Sequence, residues 1–423
     1  MNKRKLLAIF YDQREELLGT DLSQLCDRLE ERQLSMESNL AQVVIGVRRS
    51  GKSTLCEKFI RQSGAAFAYA NFDDDRLVGL KAADLGDVLE VLYQVYGDFG
   101  CLFVDEIQNV DGWQLFVNRL LRQKVRLFVT GSNSRLLSSE LTTHLTGRHN
   151  RVELYPFSFS EYATMRHVDL QSLSTKARAM RSRALSEYLM EGGFPELMHE
   201  KNRRGYVEAL LNSVIKNDIG RRFRVRYVDV LRRMAAYLSD NFCQEVVASE
   251  MANLFGVSDH TIENYYSYLK EAFLLVGVPK FSYKSRERVC REKAYVVDVA
   301  LVSDRDGALS TDNLGWRLEN IVCVELLRRC HPQYADVFYY RDRQWEVDFV
   351  VAKNGKVTHL IQVSYDISSD KTLNREVKGL VGAAQKFGCE NLTLVNFYED
   401  KEIESAGHKI SVVSAAEWLA VRG

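Results

Sequence analysis

The sequence predicts an α/β fold that begins with a domain built on a parallel sheet. Three short runs predict it: a glycine-rich loop at residues 46–53, an apolar run ending in two acids at 101–106, and an apolar run ending in Gly-Ser at 125–132. Runs of this length and composition are typical of strands buried on both faces. Because parallel strands end at one edge of a sheet, the polar residues after these runs are expected to meet there.

The glycine-rich loop fits the pattern G-x-x-x-x-G-K-[ST] at every fixed position, between a strand-like run at 42–45 and a helix-like run at 55–62. Glycines let the backbone turn sharply and approach a polyphosphate, and the start of a helix favours an anion. Lys52 is expected to contact the phosphates of ATP, and the Ser53 hydroxyl to bind Mg²⁺. The pattern alone gives Arg48 and Arg49 no specific role. The predicted nucleotide-binding residues of the loop are Gly46, Arg48, Arg49, Ser50, Gly51, Lys52, Ser53 and Thr54.

The second run, CLFVDEIQN at residues 101–109, places Asp105 and Glu106 at the end of a buried strand. Asp105 is expected to hold Mg²⁺, directly or through water, and Glu106 to position or deprotonate the attacking water. A water-positioning acid favours hydrolysis over phosphoryl transfer to a bound acceptor.

The third run leads into Gly-Ser-Asn-Ser at 131–134. Ser132 or Asn133 is expected to sense the γ-phosphate, and the same residues could also cap the next helix. Arg148 could act as an arginine finger on a neighbouring subunit's γ-phosphate, or be a structural surface arginine. The first alternative predicts a homo-oligomer.

Length and composition bound the remaining possibilities. The chain has 423 residues, which predicts two to four domains, and its net charge is zero, so any nucleic-acid binding must come from a local patch. Its eight cysteines form no C-x-x-C pair, which is typical of reduced cysteines in a cytoplasmic protein. No apolar run is long enough to span a membrane, and residues 1–40 are predicted to be helical and amphipathic.

The motifs GVRRSGKST, LFVDEIQNVDGW, TGSNSRLLSSELTTHLTGR, LYPFSFSEY and EGGFPE together resemble those of bacterial and archaeal AAA+-type P-loop ATPases that carry a C-terminal domain of unknown function. The resemblance covers nearly the whole chain. It implies an ATPase core, a winged-helix segment and a nuclease-like C-terminal domain. The expected domains are an AAA+-like ATPase at 1–165, a helical region at 166–228, a winged helix at 229–304 and a nuclease-like domain at 305–423.

The winged-helix prediction rests on helices at 246–255 and 259–275 joined by a tight Gly-Val-Ser turn, and on strands at 273–281 and 294–301. The second helix offers hydrogen-bonding side chains but few cations to a DNA groove, whereas the segment 284–293 is basic. DNA binding and a protein interface both remain open for this segment.

The C-terminal segment resembles the restriction-endonuclease-like PD-(D/E)xK fold, in which acids on adjacent strands bind Mg²⁺ and a lysine assists. Asp348 fits the first acid, but Gln362 stands in place of the second acid and Ser364 in place of the lysine. A serine cannot supply the lysine's charge, so this site is degenerate. We expect the domain to serve DNA binding or assembly rather than cleavage.

The sequence therefore predicts an ATPase that couples Mg²⁺-dependent ATP hydrolysis to a conformational switch, acting on DNA. The alternative is an ATP-dependent switch that binds a protein partner without DNA, and an ATP-gated nuclease is less favoured.

Overall fold

The computed structural model describes residues 2–131, 147–284, 291–304 and 313–421. The chain divides into two compact units, Met1–Leu154 and Tyr155–Gly423. The described helices include none that is both long enough and apolar enough to cross a membrane.

The first unit contains a five-stranded sheet in which every neighbouring pair is parallel. The strand order is β2-β3-β4-β1-β5. All residues of β1 and β3 are buried, as expected for strands covered on both faces by helices. The strands are β1 (Ala41–Ile45), β2 (Phe67–Asn71), β3 (Cys101–Asp105), β4 (Arg126–Gly131) and β5 (His149–Glu153).

Helices of the first unit alternate with these strands, which is the arrangement predicted from the sequence. They are Lys3–Gly19, Lys52–Gln62, Leu85–Tyr96 and Trp113–Arg122. The prediction that residues 1–40 are helical is wrong beyond Gly19. The chain continues there as two short 3₁₀ turns, Leu22–Gln24 and Leu29–Gln33, and the first of them is capped by the Asp21 carboxylate, which accepts the backbone N–H of Ser23.

The second unit begins with helices and continues into a helix-turn-helix followed by a small antiparallel sheet. Its first helices are Phe159–Met165, Thr175–Glu191, Arg203–Ser213, the π-helical turn Val214–Gly220, and Val228–Asp240. The helix-turn-helix comprises Ala248–Phe255 and Asp259–Glu271, and the small sheet has the order β6-β8-β7. Its strands are β6 (Gln244–Glu245), β7 (Leu275–Pro279) and β8 (Glu292–Val296).

The predicted strand at 294–301 ends earlier than expected, because β8 stops at Val296 and a short helix, Ala300–Ser303, follows. The Asp298 carboxylate accepts the backbone N–H groups of Ala300, at 2.9 Å, and of Gly193, at 2.7 Å. These bonds hold the chain in a turn where the apolar sequence alone suggests a continuing strand.

A six-stranded mixed sheet forms the rest of the second unit, in the order β13-β14-β12-β11-β10-β9. The helix Asp370–Phe387 packs an apolar face on this sheet, and its Leu380, Ala383 and Ala384 are fully or almost fully buried in the shared core. The helices Leu314–Cys330 and Ala415–Ala420 complete the unit. The strands are β9 (Asp336–Arg341), β10 (Glu346–Lys353), β11 (Lys356–Ser364), β12 (Leu392–Asn396), β13 (Lys401–Ser405) and β14 (His408–Ser414).

Candidate functional site

The loop after β1 has a backbone that requires glycine at two positions. Gly46 has φ +149°, and a Cβ there would lie 2.1 Å from the carbonyl oxygen of Leu154, so a larger residue cannot fit without displacing the backbone. Gly51 has φ +93° immediately before the helix Lys52–Gln62. Glycine adopts such conformations without steric cost. The loop can therefore wrap closely around a ligand at the start of this helix.

Two polar side chains of the loop are buried inside it. The Lys52 ammonium donates to the carbonyl oxygen of Val47 at 2.9 Å. The Ser50 hydroxyl is fully buried and has no hydrogen-bond partner among the described residues. A buried hydroxyl without a partner costs free energy, so a phosphate that accepted a hydrogen bond from Ser50 would remove that cost. The loop thus fits the polyphosphate predicted for it.

Asp105 lies at the carboxyl edge of the sheet, and Ser53 reaches it. Thr130, which is paired with Asp105 across β3 and β4, donates its hydroxyl to this carboxylate, and Tyr69 donates from β2 at 3.4 Å. Burial and the nearby Glu106 carboxylate raise the pKa of Asp105 to about 6, while hydrogen bonds from the Thr130 and Ser53 hydroxyls oppose this shift. A buried carboxylate and a neighbouring hydroxyl are the kinds of protein ligand that Mg²⁺ uses beside a nucleotide.

Glu106 follows Asp105 with a left-handed backbone, φ +52°. Its backbone N–H donates to the carbonyl oxygen of Thr130 at 3.1 Å, and the side-chain amide of Gln108 donates to its carboxylate. A non-glycine residue in this conformation is uncommon and costs free energy, which the surrounding contacts must offset. Glu106 is half-buried next to Asp105, as expected for an acid that must face both the metal site and a water molecule.

The two arginines of the loop differ in their surroundings. Arg48 forms an ion pair with Asp73 at 3.1 Å, and Asn109 donates its amide to the same carboxylate at 3.3 Å. Burial raises the pKa of Asp73, although the Arg48 charge and the Asn109 hydrogen bond oppose the shift. Arg49 is exposed and has a left-handed backbone, φ +66°. Arg48 thus links the loop after β1 to the loop after β2.

The remaining predicted residues are placed only in part. Ser132 and Asn133 lie outside the described residues. Thr54 is half-buried in the first turn of the helix Lys52–Gln62. Arg148 is exposed immediately before the edge strand β5, where its carbonyl oxygen accepts the backbone N–H of Ala41 at 3.0 Å.

Arg28 contributes to the loop but was not predicted from the sequence. Its guanidinium is buried and donates to the carbonyl oxygen of Ser50 at 2.9 Å, with Glu30 at 4.0 Å from the same group. A buried arginine fixes the position of the carbonyl group to which it donates. The sequence contains no signal for this contact, because Arg28 lies in a segment that the pattern assigned to an amphipathic helix.

The residues predicted for a nuclease-like site lie together in the second unit, where a buried cation joins them. Asp348 is buried, and one of its oxygens accepts the backbone N–H of Val363 at 2.9 Å. The Lys293 ammonium, from β8, lies 3.9 Å from the Asp348 carboxylate, 3.4 Å from Glu319 and 2.8 Å from Glu346. Burial and the Glu319 charge raise the pKa of Asp348, with Lys293 opposing the shift.

The other two residues of that prediction have structural hydrogen bonds. Gln362 accepts the backbone N–H of Asp348 at 3.3 Å and donates its amide to Glu376 at 2.7 Å. The Ser364 hydroxyl donates to the carbonyl oxygen of Asp366 at 3.2 Å. In the described part of the chain, no group of three or more His, Cys, Asp or Glu side chains is arranged to hold a metal ion.

Comparisons with known proteins match three consecutive parts of the chain. Residues 38–163 match the AAA domain, and residues 182–311 and 314–418 match two domains of unknown function, DUF8612 and DUF4143. An uncharacterized protein of Methanocaldococcus jannaschii is 30% identical over 403 residues, which cover 91% of this chain and 89% of that protein. An uncharacterized protein of Haemophilus influenzae is 30% identical over 399 residues, which cover 90% of this chain and 95% of that protein.

Solved structures overlap with the chain less closely. A Walker-type ATPase of Pyrococcus abyssi is 16% identical with a TM-score of 0.40, and the match covers 66% of this chain and 95% of that protein. The RuvB Holliday junction branch migration motor of Thermotoga maritima is 20% identical with a TM-score of 0.27, covering 57% of this chain and 82% of that protein.

Proposed function

Because this chain belongs to the same family as the uncharacterized proteins of Methanocaldococcus jannaschii and Haemophilus influenzae and contains an AAA domain, we propose that it binds and hydrolyses ATP with Mg²⁺. The observation that carries the proposal is the meeting of four side chains at one edge of the sheet. Lys52 lies within the loop after β1, Ser53 reaches Asp105 at the end of β3, and Glu106 follows directly.

The roles follow from the charge and position of each group. Lys52 exchanges the carbonyl oxygen of Val47 for phosphate oxygens, and Ser50 donates its buried hydroxyl to the same anion. Ser53 and Asp105 hold Mg²⁺, which neutralises charge on the phosphates. Mg²⁺ would need Asp105 in its ionised form, because a protonated carboxyl group is a poor metal ligand.

Glu106 accepts a proton from the attacking water or orients that water toward the γ-phosphate. The Gln108 amide donates to the Glu106 carboxylate and so limits its rotation. Ser132 or Asn133 senses the γ-phosphate, and Arg148 stabilises transition-state charge on a neighbouring subunit. The exposure of Arg148 on the edge of the unit supports this last assignment.

The test is release of inorganic phosphate from ATP by Lys52→Ala, with Lys5→Ala as the matched control because Lys5 is exposed on another helix. Lys52→Ala should lose ATP binding or turnover, and Lys5→Ala should keep both. A Lys52→Ala protein that hydrolyses ATP at the wild-type rate would refute the proposal.

Action in trans has its own test. Arg148→Ala should hydrolyse ATP slowly, and mixing it with Lys52→Ala should restore part of the activity, because each supplies what the other lacks. If no mixing ratio restores activity, Arg148 does not act across subunits.

We further propose that turnover drives a conformational switch in the second unit. Two helices, Ala248–Phe255 and Asp259–Glu271, with the three-stranded sheet β6-β8-β7, support a winged helix within residues 229–304. A motor or switch on DNA predicts ATP turnover that rises when DNA is added, and binding that weakens with salt. Turnover indifferent to DNA would instead favour a switch that binds a protein partner.

A further inference from the structure

The second unit contains a cavity of about 610 Å³ whose lining includes none of the predicted nuclease-like residues. Most of its lining comes from three segments: residues 280–283 after β7, the end of β9 with the turn into β10, and the end of the helix Asp370–Phe387. Glu245 of β6 and Arg291, which precedes β8, complete the lining. The backbone N–H of Phe281 donates to the carbonyl oxygen of Tyr339 at 2.7 Å, which fixes the first segment against β9. All three segments belong to one compact unit.

Aromatic side chains form one wall of this cavity. The Phe387 ring packs between two others, with its centroid 5.0 Å from that of Phe281 and 5.0 Å from that of Tyr340. Tyr283 adds a fourth ring, 5.3 Å from Phe281, but 67% of it is exposed. A large aromatic ring held against a buried aromatic cluster while it faces solvent offers a stacking surface.

Cationic side chains form the rim. Five lysines and arginines line the cavity beside two acids, in a chain whose net charge is zero. Within the described residues, Lys280 and Arg343 have no ion-pair partner. Arg341 and Arg291, whose side chains are more than half exposed, have only long ion pairs, at 3.5 Å and 3.7 Å from Glu346 and Glu245. Exposed pairs of this length contribute little stability, so their charges remain available to an anion.

A second cavity, of about 580 Å³, adjoins the first across the turn between β9 and β10. Arg343 and Lys386 line both cavities, and Trp345 lines the second. The two cavities therefore share two cations, and each contains at least one aromatic ring, an arrangement that suits a chain of phosphates with attached bases.

We propose that this surface, the aromatic–cationic pocket, binds single-stranded nucleic acid. Lys280 and Arg343 contact phosphates, and an unpaired base stacks on Tyr283. Sites for single strands combine a basic groove with exposed aromatic rings. A phosphate ligand without bases would use the cations but gain nothing from Tyr283, and the bases of a duplex are not free to stack.

The helix Asp259–Glu271 is a weaker candidate for the same ligand. Its lysine, Lys270, is engaged by Glu292 at 2.6 Å, and the rest of the helix carries no arginine or lysine. Phosphates contribute most of the affinity for nucleic acid. The charge needed for binding thus lies in the pocket rather than on the second helix of the helix-turn-helix.

The experiment measures anisotropy of a fluorescent oligo-dT with the full chain, without ATP, at several salt concentrations. Lys280→Glu/Arg343→Glu should weaken binding at least tenfold. The plot of the logarithm of the association constant against the logarithm of the salt concentration should also become less steep by about 1.4, since each lost phosphate contact removes about 0.7 from the magnitude of its negative slope. The matched control is Lys353→Glu/Lys356→Glu, which makes the same charge change at exposed positions of β10 and β11 and should bind like the wild type.

Stacking is tested separately. Tyr283→Ala should weaken binding about 5- to 150-fold, whereas Tyr283→Phe should keep it. Tyr334→Ala, at a tyrosine that is 89% exposed elsewhere, should have no effect. Equal weakening by both charge reversals, or no effect of Tyr283→Ala, would overturn the proposal.

Competition decides the class of ligand. Unlabelled single strands should displace the probe, and a duplex or free ATP at the same nucleotide concentration should not. Displacement by duplex as effective as by single strand would also overturn the assignment. Lys52→Ala should bind oligo-dT like the wild type, so a failure of the ATPase proposal leaves this result unchanged.

Discussion

Replacement of Lys293 by methionine removes a buried cation that contacts three carboxylates. Methionine has about the same length as the lysine stem, so the packing of the apolar part is largely kept. Glu319 and Asp348 are then left buried without their countercharge. We expect the second unit to become less stable for this electrostatic reason.

The expected loss is about 3–5 kcal/mol, the usual cost when one partner of a buried ion pair is removed. At an effective dielectric constant of about 20, contacts of 2.8, 3.4 and 3.9 Å each represent about 4–6 kcal/mol of gross attraction. Desolvation of the buried ions offsets most of this attraction. The Glu346 contact contributes less than its distance suggests, because that side chain is 34% exposed.

Urea unfolding followed by tryptophan fluorescence is a suitable assay. Three of the four tryptophans, Trp316, Trp345 and Trp418, lie in the second unit, so emission reports mainly on that unit. Lys293→Met should lower the unfolding midpoint, and the control Lys353→Met, at an exposed lysine, should not.

A second variant separates charge from packing. Glu319→Gln keeps an oxygen for the Tyr295 hydroxyl, which donates to Glu319 at 2.8 Å. It removes one of the uncompensated charges, so Lys293→Met/Glu319→Gln should recover part of the lost stability. A wild-type midpoint in Lys293→Met, or a double variant no more stable than Lys293→Met, would show that the cluster is not held by charge pairing.

Three further predictions concern single positions. Glu106→Gln should bind ATP but hydrolyse it about 10²- to 10⁴-fold more slowly; phosphate release gives the rate, and an unchanged rate would exclude the water-positioning role. Gly46→Ala should lower the melting temperature and abolish ATP binding, because its Cβ would meet the Leu154 carbonyl oxygen at 2.1 Å; normal ATP binding would contradict this steric argument. Burial raises the pKa of Asp298 from 3.8 to about 6. Between about pH 4 and pH 6 the native protein therefore retains a proton that the unfolded chain loses. The contribution of Asp298 to the unfolding free energy should fall by about 3 kcal/mol as the pH rises through this range. Asp298→Asn should lack this decline when urea midpoints are compared across that range, and a parallel decline in both proteins would refute the assignment.

The parts of the first unit that could be predicted from the sequence are those marked by contiguous motifs. The loop at 46–53 and the acids after β3 are contiguous motifs flanked by apolar strands, so no long-range contact is needed to find them. Strand β5 was not predicted, because its sequence, HNRVE, is mostly polar and only Val152 is buried. Its extended conformation comes from parallel pairing with β1, which sequence periodicity does not report.

Long-range contacts account for the residues that the sequence did not reveal. Arg28 and Ser50 are far apart in the chain, and a local pattern cannot show that the guanidinium donates to that carbonyl group. The same reason applies to Lys293. The resemblance places a lysine at position 364, where this chain has a serine, and the cation beside Asp348 comes from β8.

Because Lys293 lies beside the carboxylates of the predicted nuclease-like site, the nuclease-like interpretation can be tested directly. The Lys293 ammonium lies 2.8 to 3.9 Å from Glu319, Glu346 and Asp348 and neutralises part of their negative charge, and among the described residues these carboxylates form no metal site. Mg²⁺ should therefore leave the urea midpoint of the second unit unchanged in the wild type. In Lys293→Met the three carboxylates lose their cation, so Mg²⁺ should raise the midpoint by binding to the folded state. Measurements in saturating Mg²⁺ and in EDTA distinguish the two proteins, with Lys353→Met as the control. An equal rise in wild type and variant would mean that the metal binds elsewhere, and that Lys293 does not take the place of a metal ion.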